Sequence, residues 1–270
     1  MRCVVPAGAV LGEGALWDVA EQALYWVDIK GRRVHRYDPR RDHSQEWSVP
    51  EDVGSFAVRA GGGLVLALRS GFHFFDPQTG RTRPAAEPEP ERVENRFNDG
   101  KTDRQGRFRA GSMHNPETRP TGGLYRLDAD LSCRRLIDGI VVSNALCWSP
   151  DGRTMYHTDT PTRIVSAWDF DPASGDIANR RTFVRVPDGE GYPDGATVDA
   201  DGFVWIAHWD AGASRATIPP AAWGASSICR CSARRVRVSS SCERAALYTG
   251  FRSAARRSPM AHLSWSMTFW

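Results

Sequence analysis

The chain has 270 residues, of which 41% are apolar and 25% are charged, so it can bury a full core. No run of about 18 apolar residues occurs, which argues against a transmembrane helix, and the first 14 residues lack the apolar stretch and cleavage site of a secretory signal. The cysteines of the first 212 residues are too scattered to suggest a disulfide framework, which fits a reducing compartment. Together these features predict a soluble cytoplasmic protein with no membrane partner.

The net charge of +3 conceals two dissimilar regions. Residues 213–270 carry nine arginines, no lysine and one acidic residue, so this tail has a charge of +8 and the remainder a charge of −5. A basic tail can bind nucleic acid. Here the arginines are mixed with Ser, Ala, Cys and Trp in no regular period, so we expect no nucleic-acid partner.

The first 212 residues contain an internal repeat. Five stretches align without a gap: "EGALWDVAEQALYWVD" from Glu13, "GSFAVRAGGGLVLALR" from Gly54, "NDGKTDRQGRFRAGSM" from Asn98, "NALCWSPDGRTMYHTD" from Asn144 and "DGATVDADGFVWIAHW" from Asp194. Each stretch has a short strand, a turn and a second strand, and the turn glycine is Gly62, Gly106, Gly152 or Gly202 in four of them. The starts are 41, 44, 46 and 50 residues apart.

A second type of hairpin lies between these stretches, as in "GFHFFDPQTGRTRPA" and "GGLYRLDADLSCRRLI". Each has a strand, an Asp-containing turn and a return strand, which makes four strands per repeat. A period of 40 to 50 residues with four strands is typical of a β-propeller. We therefore predict an all-β propeller with four complete blades and the first half of a fifth.

The first position of each repeat is a candidate site. It is occupied by Glu13, Gly54, Asn98, Asn144 and Asp194, and four of these five carry a side-chain oxygen. Equivalent positions of innermost strands converge on the axis of a propeller, so the sequence predicts an all-oxygen site suited to Ca²⁺ or Mg²⁺ and acceptable for Zn²⁺ or Mn²⁺. The alternative is that Asn and Asp stand there only as turn formers.

Four motifs resemble those of the gluconolactonase/regucalcin (senescence marker protein) family. They are "GEGALWD", "NRFNDGKTDRQGRF", "VVSNALCWSPDG" and "GYPDGATVDADGFVWIA". The resemblance implies a six-bladed propeller with one divalent cation, Ca²⁺ being favoured, and a carboxylic-ester hydrolase that opens sugar lactones. It also implies that Glu13, Asn144 and Asp194 are metal ligands and that Asp194 is the general base. Arg96, Asn98 and Glu117 would bind the substrate.

The chemistry expected of such a site is simple. A cation polarises the lactone carbonyl, water is the nucleophile, and Asp194 deprotonates or orients it. Arg96 and Asn98 would donate hydrogen bonds to substrate oxygens, although Arg96 could instead form a surface ion pair with Glu94 or Asp99. We interpret His114, His157 and His208 as structural or pocket-lining, because no serine or cysteine elbow accompanies them.

Two features depart from the family pattern. Arg109 occupies a position that is Tyr25, Val65, Met155 or Trp205 in the other repeats, where a buried arginine without a partner would be costly. After Trp209 the β period stops, and Pro219 and Pro220 discourage a strand. We therefore assign residues 1–212 to an incomplete propeller and residues 213–270 to an aberrant, poorly ordered tail, with a reading-frame shift near residue 213.

Three functions remain open from the sequence. The first is a metal-dependent lactonase acting on a gluconolactone-like aldonolactone. The second is a calcium- or sugar-binding protein without turnover, and the third is the inactive product of a damaged lactonase gene. The oligomeric state is left open.

Overall fold

The computed structural model describes residues 2–210, 215–217 and 247–249, and side chains over residues 4–210. Apart from one 3-10 turn at Thr160–Thr162, every regular element in these ranges is a β-strand. No helix in the described part of the chain is long and apolar enough to cross a membrane. Most of the predicted tail, residues 213–270, lies outside the described residues.

Four antiparallel sheets of four strands follow one another along the chain. The first contains β2 (Gly12–Asp18), β3 (Ala23–Asp28), β4 (Arg33–Asp38) and β5 (His43–Ser48), and the second contains β6 (Val53–Val58), β7 (Leu64–Leu68), β8 (Gly71–Asp76) and β9 (Arg81–Ala86). The third contains β10 (Asn95–Thr102), β11 (Phe108–His114), β12 (Gly122–Leu127) and β13 (Cys133–Ile140), and the fourth contains β14 (Ser143–Trp148), β15 (Thr154–Asp159), β16 (Ile164–Phe170) and β17 (Ile177–Arg185). The predicted four complete blades are confirmed.

A fifth sheet contains β18 (Tyr192–Val198), β19 (Val204–Trp209) and the short β20 (Arg215–Thr217). Its first two strands are the predicted half blade. Separately, β1 (Arg2–Val5) pairs antiparallel with β21 (Leu247–Thr249).

The hairpin joining the first two strands of a blade is closed by the residues that the repeat predicts. Gly62, Gly106, Gly152 and Gly202 have φ between +67° and +89°, a region that glycine adopts without strain. On the strand side of the third turn, a carboxylate oxygen of Asp103 accepts hydrogen bonds from two backbone N–H groups. Local turn chemistry therefore sets the strand register of each blade.

The core is divided into clusters that lie between successive sheets. One cluster joins Val27 and Val34 of the first blade to Phe56 and Leu66 of the second. Similar clusters join the second blade to the third, the third to the fourth and the fourth to the fifth. Blade-to-blade packing thus arranges the sheets around a common axis, with the first strand of each sheet innermost and the last one outermost.

Candidate functional site

Each innermost strand has a β-bulge at the first position of the repeat. The pairing register shifts at Glu13, Gly54, Asn98, Asn144 and Asp194, or immediately beside them, in β2, β6, β10, β14 and β18. A bulge redirects the side chain that it carries and interrupts the regular ladder. The repeat therefore places the same backbone irregularity at the same depth in five blades.

Two of these bulges need a left-handed residue directly after the candidate ligand. Gly14 follows Glu13 with φ +63°, and Ala145 follows Asn144 with φ +56°. The second is a strained conformation for a residue with a Cβ. Such strain persists where the surrounding packing fixes it, and Ala145 is fully buried.

Gly54 is the exception in the register because its backbone approaches the third blade closely. A Cβ at this position would lie 2.3 Å from the carbonyl oxygen of Phe97 and 2.7 Å from the backbone nitrogen of Asn98. The second blade therefore contributes no side chain at this position of the repeat. This close approach brings β6 against the part of β10 that carries Asn98.

A chain of hydrogen bonds connects the third, fourth and fifth blades at this level. The Asn98 Nδ2 group donates to Asn144 Oδ1 over 3.2 Å, and the Asn144 Nδ2 group donates to Thr160 Oγ1 over 3.0 Å. The Thr160 hydroxyl in turn donates to the Pro193 carbonyl oxygen over 2.9 Å, directly before Asp194. These bonds hold candidate residues of three blades in one fixed arrangement.

Arg96 is held at the edge of this arrangement. It is only 5% exposed, its Nη1 group donates to Asn98 Oδ1 over 2.9 Å, and its Nε group donates to Asn115 Oδ1 over 3.1 Å. Burial lowers the pKa of the Arg96 guanidinium, and the carboxylates of Asp52, Glu117 and Glu13 oppose that shift.

The alternative of a surface ion pair for Arg96 is wrong. Glu94 instead forms an ion pair with Arg119, and Asp99 accepts a hydrogen bond from the Leu146 backbone through Oδ2. Arg96 is oriented by neutral amide oxygens, and among residues 4–210 no carboxylate forms an ion pair with it.

Glu117 and Glu13 are two carboxylates that act electrostatically on Arg96. Glu117 is exposed in the loop after β11, with φ +61° and its N–H donating to the His114 carbonyl oxygen over 2.7 Å. Glu13 is half-buried on β2. Both carboxylates favour the charged form of the Arg96 guanidinium and so partly offset the effect of its burial.

The predicted metal ligands would supply two carboxylates and one amide. No group of three or more His, Cys, Asp or Glu side chains comes together within the described residues. Asn144 and Asp194 are 5% and 6% exposed, and Asn144 Oδ1 keeps a second lone pair beside the bond from Asn98. An oxygen-only set at three equivalent bulges fits a hard divalent cation and does not fit a thiolate-bound metal.

The three histidines have structural surroundings. His157 is buried, and burial lowers its pKa to about 3, so it stays neutral and shares a 2.9 Å hydrogen bond with the Ser143 hydroxyl. His114 contacts Thr118 and Arg119, and His208 Nδ1 lies 2.9 Å from the Glu190 carbonyl oxygen. Neither His157 nor Ser143 is exposed enough to reach a substrate.

Three residues of this region were missed by sequence reasoning. Thr160 and Asn115 orient Asn144 and Arg96, and the buried Lys101 donates from Nζ to the Ala196 carbonyl oxygen over 2.8 Å. Lys101 lies in the quoted motif "NDGK", which could have signalled it. Thr160 and Asn115 lie in loops outside the repeat, where no periodicity identifies them.

Arg109 has the partner that the sequence did not reveal. Its Nη1 group donates to Asp103 Oδ2 over 2.6 Å and its Nη2 group to the Gly175 carbonyl oxygen over 2.7 Å. The guanidinium also lies over the rings of Trp148 and Phe170. Arg109 therefore joins the third and fourth blades, and its charge is paired with that of Asp103.

Comparison with known proteins agrees with this architecture. A family model described as SMP-30/Gluconolactonase/LRE-like region matches residues 11–219. The 6-deoxy-6-sulfogluconolactonase of Pseudomonas putida is 39% identical over 214 residues, 78% of this chain and 73% of that protein. Regucalcin of Xenopus laevis is 38% identical over 218 residues, with the same two coverages. The solved structure of a calcium-binding regucalcin from Agrobacterium tumefaciens aligns with a TM-score of 0.76 and 27% identity, covering 80% of this chain and 73% of that one.

Proposed function

The chain belongs to the SMP-30/gluconolactonase/LRE-like family, and from that premise we propose that it hydrolyses a sugar lactone to the sugar acid with the help of one divalent cation. The observation that supports this most strongly is the hydrogen-bonded series Arg96, Asn98 and Asn144, which ends beside Asp194. This series connects the residues that we propose bind the substrate with those that we propose bind the cation.

The substrate class follows from the relatives and from the donors available. The relative from Pseudomonas putida is named a sulfogluconolactonase, that is, an enzyme for an aldonolactone. Hydrolysis adds water to the lactone carbonyl carbon and breaks the ring C–O bond, and the ring oxygen receives a proton. Arg96 donates to oxygens of the substrate. Both N–H groups of the Asn98 amide are used, by the Ser143 carbonyl oxygen and by Asn144 Oδ1, so Asn98 would bind the substrate by accepting from a sugar hydroxyl through Oδ1. Glu117 can accept from a further sugar hydroxyl.

Glu13, Asn144 and Asp194 would hold the cation, and Ca²⁺ is the first choice because the solved relative is a calcium-binding protein. When bound, the cation supplies Lewis acidity to the lactone carbonyl. Asp194 accepts the proton of the attacking water, and Asn98 keeps the Asn144 amide turned so that its oxygen faces inward. Arg96 fixes the sugar ring by donating from its free N–H groups.

A reducing compartment is consistent with the thiols. Cys133 and Cys147 are free, and burial raises the pKa of the Cys147 thiol to about 12, so it stays protonated within the core. We place the reaction in the cytoplasm on this basis.

Arg96→Ala tests the division of roles. We expect lactone turnover to fall by about 100-fold, since a positioning cation is lost, while Ca²⁺ affinity stays nearly unchanged because a guanidinium cannot be a ligand. Turnover is measured by proton release from D-glucono-lactone above its spontaneous opening, and Ca²⁺ affinity by titration calorimetry.

Arg134→Ala, an exposed change on the outermost strand β13, is the matched control and should alter neither value. An equal loss of Ca²⁺ affinity in Arg96→Ala would contradict the assignment.

Calcium or sugar binding without turnover is the second candidate, and the name of the solved calcium-binding relative favours it. The same assay separates the two. A chain that binds Ca²⁺ but opens the lactone no faster than buffer would support binding alone.

A further inference from the structure

A cavity of about 470 Å³ opens between the first and second blades beside Arg96. It is formed by the loops that follow β3, β5, β7 and β11. Its polar lining comprises Lys30, Arg32, Glu51, Asp52, Arg69 and Asn115. Three of these six side chains are cations and two are carboxylates.

Asn115 connects this cavity to the candidate site. Its Oδ1 atom accepts a hydrogen bond from Lys30 Nζ and one from Arg96 Nε, each over 3.1 Å. Lys30 and Arg96 are therefore near neighbours on two sides of one amide. A substrate that contacts Arg96 can therefore reach the cavity by extending past the Asn115 side chain.

The acceptors of the cavity lining are already used. Asp52 accepts from Lys30 through Oδ2 over 2.7 Å and from Arg32 through Oδ1 over 3.3 Å. Glu51 accepts from the Ser70 hydroxyl through Oε1 over 2.7 Å and from the Ser70 N–H through Oε2 over 2.9 Å. Every carboxylate oxygen in the lining thus has a donor.

The N–H donors of the two arginines in the lining are only partly engaged by the protein. Within the described ranges, Arg32 donates to a protein acceptor only through Nε and Arg69 only through Nη2, to the Val93 carbonyl oxygen. The Arg32 side chain is 58% exposed and that of Lys30 is 38% exposed. The remaining N–H groups carry positive charge and face solvent, so a ligand here must accept hydrogen bonds.

We propose that this cavity is a subsite for an anionic substituent of the substrate, such as a carboxylate, sulfonate or phosphate at the end of the sugar remote from the lactone carbonyl. The assignment rests on the proposed lactonase function and narrows its substrate class to acidic sugar lactones. Arg32 and Arg69 supply the free donors, and Asn115 holds the junction with Arg96.

The first test measures binding of stable probes to the full chain by titration calorimetry at a fixed Ca²⁺ concentration. The probes are D-glucarate with two carboxylates, D-gluconate with one, and neutral D-sorbitol. We expect D-glucarate to bind at least about tenfold more tightly than D-gluconate, because its second carboxylate reaches the free arginine donors. In Arg32→Gln with Arg69→Gln this preference should disappear while the affinity for D-gluconate is retained.

Arg59→Gln is the control, since Arg59 is a half-buried arginine of the second blade whose guanidinium contacts Gly62 and Phe74. It should keep the full preference. Equal binding of D-glucarate and D-gluconate by the unaltered chain would overturn the proposal, as would an equal loss for both probes in the double variant.

A kinetic arm separates this proposal from the proposed function. Opening of D-glucono-lactone is compared with opening of D-glucaro-lactone, which carries the extra carboxylate. Turnover of both without a preference for the acidic lactone would overturn the subsite and leave the lactonase function standing. A preference for D-glucarate in binding without turnover of either lactone would support the subsite and reject the lactonase function.

Discussion

The innermost and outermost strands of each blade differ in burial and in what they connect. All residues of β14 but the last are buried, whereas β17 of the same blade has no buried residue and β5 of the first blade has none either. The inner strands carry the bulges and the candidate ligands. The outer strands carry exposed or half-buried side chains along their whole length, which is typical of a sheet edge.

The polar contacts of the two regions also differ. Inner-strand amides bond from one blade to the next, as Asn98 does to Asn144. Outer-strand ion pairs stay within one blade, as between Arg33 and Glu46 or between Arg181 and Asp169. Function therefore depends on how blades are placed relative to one another, and the outer strands matter to it only through that placement.

The largest expected effect comes from restoring the reading frame after the inner strands of the fifth blade. We propose that residues 213–270 are an out-of-frame product, because the family match ends at residue 219 and the β period is lost near residue 213. Restoring the frame after Gly212 should stabilise the protein by on the order of 10 kcal/mol, from several hundred Å² of new apolar contact at about 25 cal/mol per Å². It should also raise lactone turnover, from weak but measurable in the unaltered chain to full.

Thermal melts with and without Ca²⁺, together with the lactone assay, compare the two versions. A cooperative melt and full turnover from the unaltered chain would contradict the proposal. The nucleotide sequence around codon 213 is an independent check.

The next largest effect is expected at Asp103, which follows the innermost strand β10. Both it and Arg109 have side chains at most 1% exposed. Asp103→Asn leaves the Arg109 charge without its counterion and should reduce the free energy of unfolding in urea by about 3–5 kcal/mol. Asp171→Asn, in an exposed hairpin, is the control and should cost far less.

The effect of Asp103 should depend on pH. Burial raises the pKa of Asp103, but hydrogen bonds from Arg109 and Arg107 outweigh it and bring the pKa below its usual value. Its stabilisation is therefore complete above the unfolded pKa of about 4 and is lost as the pH falls through the folded pKa. A difference between wild type and Asp103→Asn that grows on acidification would contradict this ion pair.

The third prediction sets an inner carboxylate against an outer one. Asp194→Ala and Glu13→Gln should each weaken Ca²⁺ binding by at least about 100-fold, because each removes a charged oxygen ligand from a set of three. Glu46→Gln on β5 should leave Ca²⁺ binding unchanged and cost at most about 0.5 kcal/mol of stability. Calorimetric titrations that find wild-type affinity in either inner variant would show that the axial site is misassigned.

The blades could be predicted from the sequence because their information is local. Turn glycines such as Gly106 and Gly202, alternating strands and the repeat spacing all act within a few residues, and the structure has the predicted hairpins. The repeat register also singled out Glu13, Asn98, Asn144 and Asp194. The structure has a bulge at or beside each of them, and no pattern in the sequence predicts these bulges.

Contacts between blades could not be predicted from the sequence. Gly54 breaks the register because a Cβ would meet Phe97, and Arg109 is tolerated because it reaches Gly175, 66 positions later. The orienting roles of Thr160 and Asn115 likewise depend on how closely the loops of neighbouring blades approach. Such distances are a property of the assembled ring and not of any single repeat.

The hydrogen bonds among Asn98, Asn144, Thr160 and Pro193 have a consequence for folding. Asn98 and Asn144 are 46 positions apart, and Thr160 and Pro193 are 33 apart, whereas each blade closes its own hairpins locally. Contacts between distant positions carry a larger loop-closure entropy and form late. During refolding, strand content measured by circular dichroism should return before ligand binding does, so binding at this site reports when the third, fourth and fifth blades have packed against one another.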